Sequence, residues 1–318
     1  MKRIPLSVLL LLFFPFLHAQ ENTFELKVTL KPFKNQYIYL GYYYGKQRPI
    51  VDSVLLNDKS YGVFKADHKM GGGLYLIGYP DKSNYFEVFI DQQQHFSIVA
   101  DTADIIRHSI QYTGSEDNTL FNAYQEFVYV KGNNIEAAKK RLASATNAKD
   151  SATQKSIIDQ NNEAIKKYRL DFIKAHPKST LSLLFNIMKE PDIPPAGEQP
   201  GGKYDSAFAY QYYKNHYWDG VYFFDDRVAR TPVFEPKLDK YFEQVVYPNA
   251  DSVIKEMDWM LGYASASEEM QKFLLVKFVN RYLNQRYMWE DKVFVHLFEK
   301  YFSQKEYAWL NEKGKKTI

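Results

Sequence analysis

Residues 24–30, FELKVTL, decide the fold of the N-terminal part of the chain because apolar and polar side chains alternate along them. Phe24, Leu26, Val28 and Leu30 would share one face, while the residues between them would share the other. Successive side chains of a strand point to opposite faces, so this stretch predicts a strand with one face buried.

Seven more short runs of β-branched and aromatic residues follow at a spacing of roughly ten residues. Turn-forming residues separate them, as at Asn57-Asp58 and in the glycine run from Gly71 to Gly73. The predicted strands are 37–44, 50–56, 63–66, 74–79, 85–90, 96–100 and 110–112. No helical pattern interrupts them, which favours an antiparallel β-sandwich or open barrel at residues 20–114.

Beyond Gly114 the apolar residues recur at three- and four-residue steps, which predicts an all-helical domain at residues 115–318 and an α+β protein overall. Ser115 is the first of several N-cap candidates, and Ser265 with Glu268 forms a capping-box pattern. Residues 189–203, KEPDIPPAGEQPGGK, hold four prolines and three glycines, so they are predicted to form a loop.

The first 19 residues are predicted to be a cleaved signal peptide. Lys2 and Arg3 precede an apolar run at residues 4–17, which is too short to span a bilayer, and Ala19 is the expected last residue before the cut. An uncleaved N-terminal anchor is the alternative. No later segment is apolar enough to cross a membrane, so we expect a periplasmic or otherwise extracytoplasmic protein without a membrane span after cleavage.

Composition excludes several classes of function. The 318 residues carry a formal net charge of only +3, which gives no field for nucleic-acid binding. The chain has no cysteine, which rules out disulfides, thiolate metal sites and thiol redox chemistry within it.

One local cluster has the residue types of an active site. His216, Asp219, Asp225 and Asp226 lie within the stretch HYWDGVYFFDDR and could bind a metal ion or supply a general base. Acidic residues beside Arg227 more often pair with it, so the structural interpretation is favoured. We predict no catalytic residue, cofactor or metal, and keep as a candidate surface His216, Trp218, Asp219, Asp225, Asp226 and Arg227.

The remaining motifs favour structural roles. The glycine run leads into a strand and lacks the lysine and exit helix of a phosphate-binding loop. His296 is expected to be a partly buried, hydrogen-bonded residue. Aromatic clusters such as Tyr217-Trp218 suit protein interfaces or stacking on sugars, although packing in a core is the more frequent role.

The order of these pieces resembles the two N-terminal domains of unknown function that precede the thioredoxin fold in TlpA/ResA-type periplasmic thiol-disulfide proteins of Bacteroidota. The matching pieces include Leu40-Gly41-Tyr42-Tyr43, Gly73-Leu74-Tyr75, His176-Pro177, Tyr217-Trp218-Asp219, Asp226-Arg227 and Arg230-Thr231-Pro232-Val233. The resemblance implies an accessory region of the cell envelope. Redox activity does not carry over to a chain without the Cys-x-x-Cys pair.

Three functions remain open at this point. The leading one is a non-enzymatic module that binds a protein or peptide partner in the cell envelope through a surface between its two parts. The second is a fragment of a thiol-disulfide oxidoreductase whose activity lies in a C-terminal domain. The third is a carboxylate-dependent glycan hydrolase or metal hydrolase that uses His216, Asp219, Asp225 and Asp226.

Overall fold

A computed structural model gives the structure of the chain and describes residues 23–102, 110–303 and 305–310. The predicted signal peptide lies outside these ranges. The strands are β1 (Phe24–Lys31), β2 (Tyr37–Tyr42), β3 (Ile50–Leu55), β4 (Tyr61–Ala66), β5 (Gly73–Gly78), β6 (Tyr85–Ile90), β7 (His95–Asp101) and β8 (Gln111–Thr113). All eight predicted strands are therefore present.

The strands form two four-stranded sheets, with the orders β4-β1-β7-β8 and β3-β2-β5-β6. Every pair is antiparallel except β1 with β7, which run parallel, so that Leu26 lies opposite Phe96. Their apolar inner faces form one core, to which β1 contributes Phe24, Leu26 and Val28. The structure confirms the predicted α+β class with an N-terminal β part, and adds one parallel pair to the expected antiparallel arrangement.

The second sheet is also covered on its outer face. β5 is buried at five consecutive positions, whereas β1 is buried only at alternate ones. Leu74 and Phe89 belong to a cluster with the helical residues Phe121, Leu181 and Phe185. The two parts thus share a hydrophobic core, and the division into two domains at residue 114 stays a prediction.

The helices are α1 (Glu116–Ala143), α2 (Ala148–Ala175), α3 (Thr180–Met188), α4 (Ser206–His216), α5 (Phe234–Lys240), α6 (Ala250–Ala264), α7 (Glu268–Leu283) and α8 (Glu290–Leu297). Helix α5 continues as a π-helical turn, Tyr241–Val245, and α8 continues as a second, Phe298–Phe302. Among the described residues, no helix is both long and apolar enough to cross a membrane.

Ser115 takes the predicted N-cap position of α1, but its side chain binds no backbone N–H. Its hydroxyl accepts instead from the Nδ2 of Asn118, a fully buried residue. The amide of Asn118 also accepts from the Phe89 N–H at 2.7 Å and donates to the Phe89 carbonyl at 2.8 Å. One side chain therefore ties the first turn of α1 to β6.

The capping box predicted at Ser265 is wrong. The N-cap of α7 is Ser267, whose Oγ accepts from the Met270 N–H at 3.0 Å, while Ser265 ends α6. Two serines two residues apart both suit an N-cap, and α6 extends far enough to include the first one in its own C-terminus. The loop at residues 189–203 is present and contains two short 3₁₀ turns.

Candidate functional site

The stretch from His216 to Arg227 joins the end of α4 to a 3₁₀ turn at Asp226–Val228. Gly220 lies within it at φ +81°, and a Cβ there would lie 2.6 Å from Oδ1 of Asn186. Because this positive φ and close approach both require glycine, the chain turns sharply after Asp219. The two ends of the stretch consequently meet different neighbours.

His216 and Asp219 form an exposed pair at the first end. The Nδ1 of His216 lies 2.7 Å from Oδ2 of Asp219. Both side chains are close to half exposed. Solvent screens such a pair, so its contribution to stability is small.

At the other end, Arg227 connects the helical part to the sandwich. Its guanidinium lies 2.7 Å from Oδ2 of Asp225 and 2.8 Å from Oδ2 of Asp91, which follows β6. Hydrogen bonds from Arg227 to Asp225 raise the pKa of the guanidinium above its ordinary value. Asp91 also accepts from Oγ1 of Thr180, the first residue of α3. Arg227 thus acts as a fixed structural cation, which agrees with the favoured interpretation of the sequence.

Asp226 points to a third neighbour, since it accepts a hydrogen bond from Ser267, the N-cap of α7. The four residues proposed as a catalytic set therefore take part in three separate interactions. Within residues 23–102, 110–303 and 305–310, no three His, Asp or Glu side chains are arranged to hold a metal ion. His296 is bonded to both oxygens of Asp258, as expected for a partly buried histidine.

The glycine run contacts the same part of the chain. A Cβ on Gly73, whose φ is +154°, would lie 2.4 Å from the Cβ of Arg230, and one on Gly72 would lie 2.8 Å from Arg227 Cγ. The Leu74 N–H donates to the Arg230 carbonyl at 2.9 Å. We use the term seam for this contact of residues 71–74 and Asp91 with residues 225–231. The glycines allow two arginines to pack against the start of β5, and the seam is filled by these side chains.

An open cleft of about 360 Å³ lies on the other side of the stretch, between the end of α4 and α6. We use the term aromatic cleft for the space lined by Lys214, Asn215, Trp218, Asp219, Val221, Tyr222, Phe223, Phe224, Tyr241, Lys255, Glu256, Trp259 and Tyr263. Its volume falls in the range of small-ligand sites. Two residues of the candidate surface, Trp218 and Asp219, contribute to it.

Exposed rings form the rim of the cleft. Tyr222, Phe224, Trp259 and Tyr263 are between 41% and 56% exposed. Trp259 contacts Tyr263 edge-on at 5.6 Å between ring centroids, and Tyr222 lies 5.5 Å from Phe224. Exposed large aromatic side chains grouped around a concavity are typical of binding surfaces.

The floor of the cleft contains a polar group. Glu256 is held by Nζ of Lys214 at 2.9 Å and by the Tyr241 hydroxyl at 2.9 Å. Burial, and next the charge of Glu256, raise the pKa of Tyr241 above its ordinary value. The floor is therefore closed by three side chains that satisfy one another.

Trp218 is the exception in the floor. It is 8% exposed, and its indole Nε1 makes no hydrogen bond within the described residues. The Tyr241 hydroxyl is close enough to the indole to influence it, but the geometry is not that of a hydrogen bond. A buried donor without a well-placed acceptor costs about 1 to 3 kcal/mol, so the floor beneath the rim is not fully satisfied.

Two other clefts of similar volume lack this combination. In one, next to β3, Arg48 lies over the ring of Tyr85 and Lys82 over that of Tyr39. In the other, between α2 and α3, Lys166 pairs with Asp192. Neither cleft combines several exposed aromatic rings with a buried donor that has no acceptor in the described residues, so the aromatic cleft is the candidate functional site.

Sequence reasoning found Trp218 and Asp219 but missed the half of the cleft that α6 provides. Trp259 and Tyr263 lie four residues apart on that helix, and this spacing places them on one face. Both side chains are exposed in the folded structure, and the residue types alone could not indicate that exposure. The second cluster of the candidate surface, Asp225, Asp226 and Arg227, belongs mainly to the seam and to the N-terminus of α7.

The fold and the cleft define an α+β protein with a covered β-sandwich and a helical part that carries an open aromatic site. Residues 143–316, just over half of the chain, match the model of a domain of unknown function, DUF5106. The chain belongs to that family. No curated protein and no solved structure matches the chain. The aromatic cleft lies inside the matched residues, whereas the sandwich lies outside them.

Proposed function

We propose that this chain is a non-catalytic module of the cell envelope that holds a protein or peptide partner in its aromatic cleft. The observation that carries the proposal is the exposed aromatic rim of an open cleft, with Trp218 in its floor, whose indole N–H finds no acceptor among the residues that the structure describes. The charged residues next to it in sequence are paired within the protein instead. A site with open apolar area and few unpaired charges is suited to binding.

This proposal puts the partner on the helical part, whereas the sequence analysis put it between the two parts. Arg227, Arg230 and Asp91 pack closely where the sandwich meets the helices, which supports the change. The exposed area lies in the helical part. We therefore place the partner between α4 and α6.

The cellular setting is part of the same proposal. The charged and apolar pattern of residues 1–19 supports export to the periplasm or another extracytoplasmic space. The ordered motifs support an accessory role beside a thioredoxin-like domain of the TlpA/ResA type. Fractionation of cells that produce the protein tests the first point, and a Cys-x-x-Cys motif in the DNA that follows codon 318 tests the second.

Site-specific photo-crosslinking tests the binding function. A benzophenone amino acid replaces Tyr263, which is 54% exposed at the cleft, and in a matched control it replaces Tyr204, which is 66% exposed elsewhere. We expect a discrete protein adduct from the cleft position alone, and we expect Trp259→Ala to reduce it. Equal adducts from both positions, or none from either, contradict the proposal.

Turnover is the second readout. The purified chain is incubated with fluorogenic glycosides and esters, with and without divalent cations. Hydrolysis that disappears in His216→Ala and Asp219→Asn would replace the binding function with the hydrolase function.

A further inference from the structure

The hydrogen-bond acceptors and donors that line the aromatic cleft differ in availability. Several of the acceptors already accept a bond within the protein. Oδ1 of Asn215 accepts from Gln211 at 2.9 Å. One oxygen of Glu256 accepts from Lys214 and the other accepts from Tyr241. Asp219 accepts from His216 through Oδ2. Oδ1 of the half-exposed Asp219 is the carboxylate oxygen of the cleft that stays open to a ligand within the described residues.

Some donors of the cleft are not engaged, unlike Lys214 and Tyr241. Within the described residues, Nδ2 of Asn215, Nζ of Lys255 and Nε1 of Trp218 make no hydrogen bond to protein. Nε1 of Trp218 is buried beside the Tyr241 hydroxyl, whereas Asn215 and Lys255 are exposed, so these two side chains are the donors open to a ligand. The ligand that fits this cleft supplies acceptors.

The aromatic side chains that line the cleft indicate the apolar part of the ligand. Trp259, Tyr263, Tyr222 and Phe224 offer ring faces and edges on which flat, rigid, apolar groups can pack. Proline is such a group. Its residues bring a carbonyl acceptor without an N–H, and the polyproline II helix is already ordered before binding. Aromatic-lined grooves recognise proline-rich segments for these reasons.

The unpaired charge of the cleft indicates a further property of the ligand. Lys255 lines the cleft without an ion pair in the described residues, while Lys214 is neutralised by Glu256. An acidic residue next to the prolines would complement this one unpaired cation.

We propose that the partner segment bound in the aromatic cleft is an extended, proline-rich peptide with an acidic residue among its prolines. This inference rests on the proposed binding function and names the chemistry of its partner. Trp259 and Tyr222 hold the proline rings, Asn215 donates to their carbonyl groups, and Lys255 pairs with the acid.

A titration with a defined peptide tests the inference on the full chain. The probe is an acetylated, amidated decapeptide of prolines interrupted by two glutamates, and the control peptide has glycine or serine at each proline. Two of the four tryptophans line the cleft, so intrinsic fluorescence reports occupancy. We expect saturable binding of the proline peptide only. Tyr222→Ala and Trp259→Ala should each weaken it by about tenfold or more.

Two further variants separate the contributions. Lys255→Ala should weaken binding of the probe by about twofold to fivefold, as for other exposed ion pairs. Tyr247→Ala, a substitution of a residue that is 65% exposed outside the cleft, should leave binding unchanged. Circular dichroism of each variant confirms that it is folded.

The outcomes distinguish this inference from the function on which it rests. Equal binding of both peptides, unchanged binding in Trp259→Ala, or binding of a chito-oligosaccharide in place of the peptide would each overturn the inference. If photo-crosslinking at Tyr263 still yields a discrete partner in those cases, the binding function stands with a different ligand. Absence of both peptide binding and adducts removes both.

Discussion

The seam and the aromatic cleft are built largely from one stretch of chain, residues 214–231, yet they differ in how their polar groups are satisfied. In the seam, Arg227 pairs with both Asp91 and Asp225, and the space around it is filled. In the cleft, the indole N–H of Trp218 has no acceptor in the described part of the chain, and the rings of the rim are exposed. The difference shows that the second half of the stretch fixes the sandwich to the helices, while the first half remains available to a ligand.

Gly73→Ala should have the largest effect on stability and would test how closely the seam is packed. The new Cβ would overlap the Cβ of Arg230, and the φ of +154° is unfavourable for alanine. We expect a loss of about 3 kcal/mol or more in the free energy of unfolding, measured by denaturant titration. Gly132→Ala on α1 is the control, because a Cβ added there would meet no neighbouring side chain or element within 4 Å. This substitution should stabilise the protein by up to about 1 kcal/mol. Similar stabilities for the two variants would contradict the close packing of the seam.

Arg227→Met should lower the free energy of unfolding by somewhat less than Gly73→Ala. The change leaves Asp91 and Asp225 without their cation in a largely buried position, which is the costly way to break an ion pair. We expect the free energy of unfolding to fall by about 2 to 3 kcal/mol. Lys167→Ala removes an exposed pair with Asp171 and should change it by less than about 1 kcal/mol. Equal losses in both variants would show that the seam is no more stabilising than a surface contact.

The third prediction concerns pH and the residue behind the floor of the cleft. Lys237 is 6% exposed, lies over the rings of Tyr217 and Trp218, and donates to the carbonyl of Lys189. Burial lowers its pKa to about 8. The unfolded chain therefore binds this proton more tightly, so stability should rise as the pH increases from about 8 towards 10, by roughly 2 kcal/mol.

Thermal unfolding between pH 7 and pH 10 measures this rise. Lys237→Met should flatten it, whereas Lys203→Met, at an exposed position, should preserve it. Above pH 10 buried tyrosines act in the opposite sense, since burial raises the pKa of Tyr75 to about 12 and stability falls as that group ionises in the unfolded chain. A rise that persists in Lys237→Met would assign it to another group.

The smallest effect on stability is expected at the rim of the cleft. Tyr222→Ala and Tyr263→Ala remove side chains that are more than half exposed, so each should lower the free energy of unfolding by less than about 1 kcal/mol. Chemical denaturation beside the seam variants gives the comparison. Losses as large as those of Gly73→Ala would mean that the rim belongs to the core, and the contrast between the two regions would disappear.

Much of the fold follows from periodicity. The alternation in β1 and the change of period after Gly114 predict the strands and the first helix because each is a local pattern. Pairing is not local, so the parallel alignment of β1 with β7 could not be predicted from either strand alone. The N-cap of α7 was misplaced by two residues, since two serines had the same local chemistry.

The candidate site was predicted only in part for a related reason. Closeness in sequence suggested that His216, Asp219, Asp225 and Asp226 act together, but the turn at Gly220 sends the two halves of the stretch in different directions. The cleft forms only when Trp259, some forty positions further along, packs against Phe223. The cleft can be recognised only from the exposure of its aromatic side chains, and that exposure is a property of the folded chain.

The double hydrogen bond between Asn118 and Phe89 has a consequence for the behaviour of the sandwich towards other copies of itself. β6 is the outermost strand of its sheet, and the amide of Asn118 pairs with its main chain as one residue of an added strand would. Helix α1 thereby blocks that border against edge-to-edge aggregation. Within the described part of the chain, the opposite border of this sheet, β3, has no such cover and exposes Ile50, Val51 and Leu55, so strand addition to this sheet would begin there.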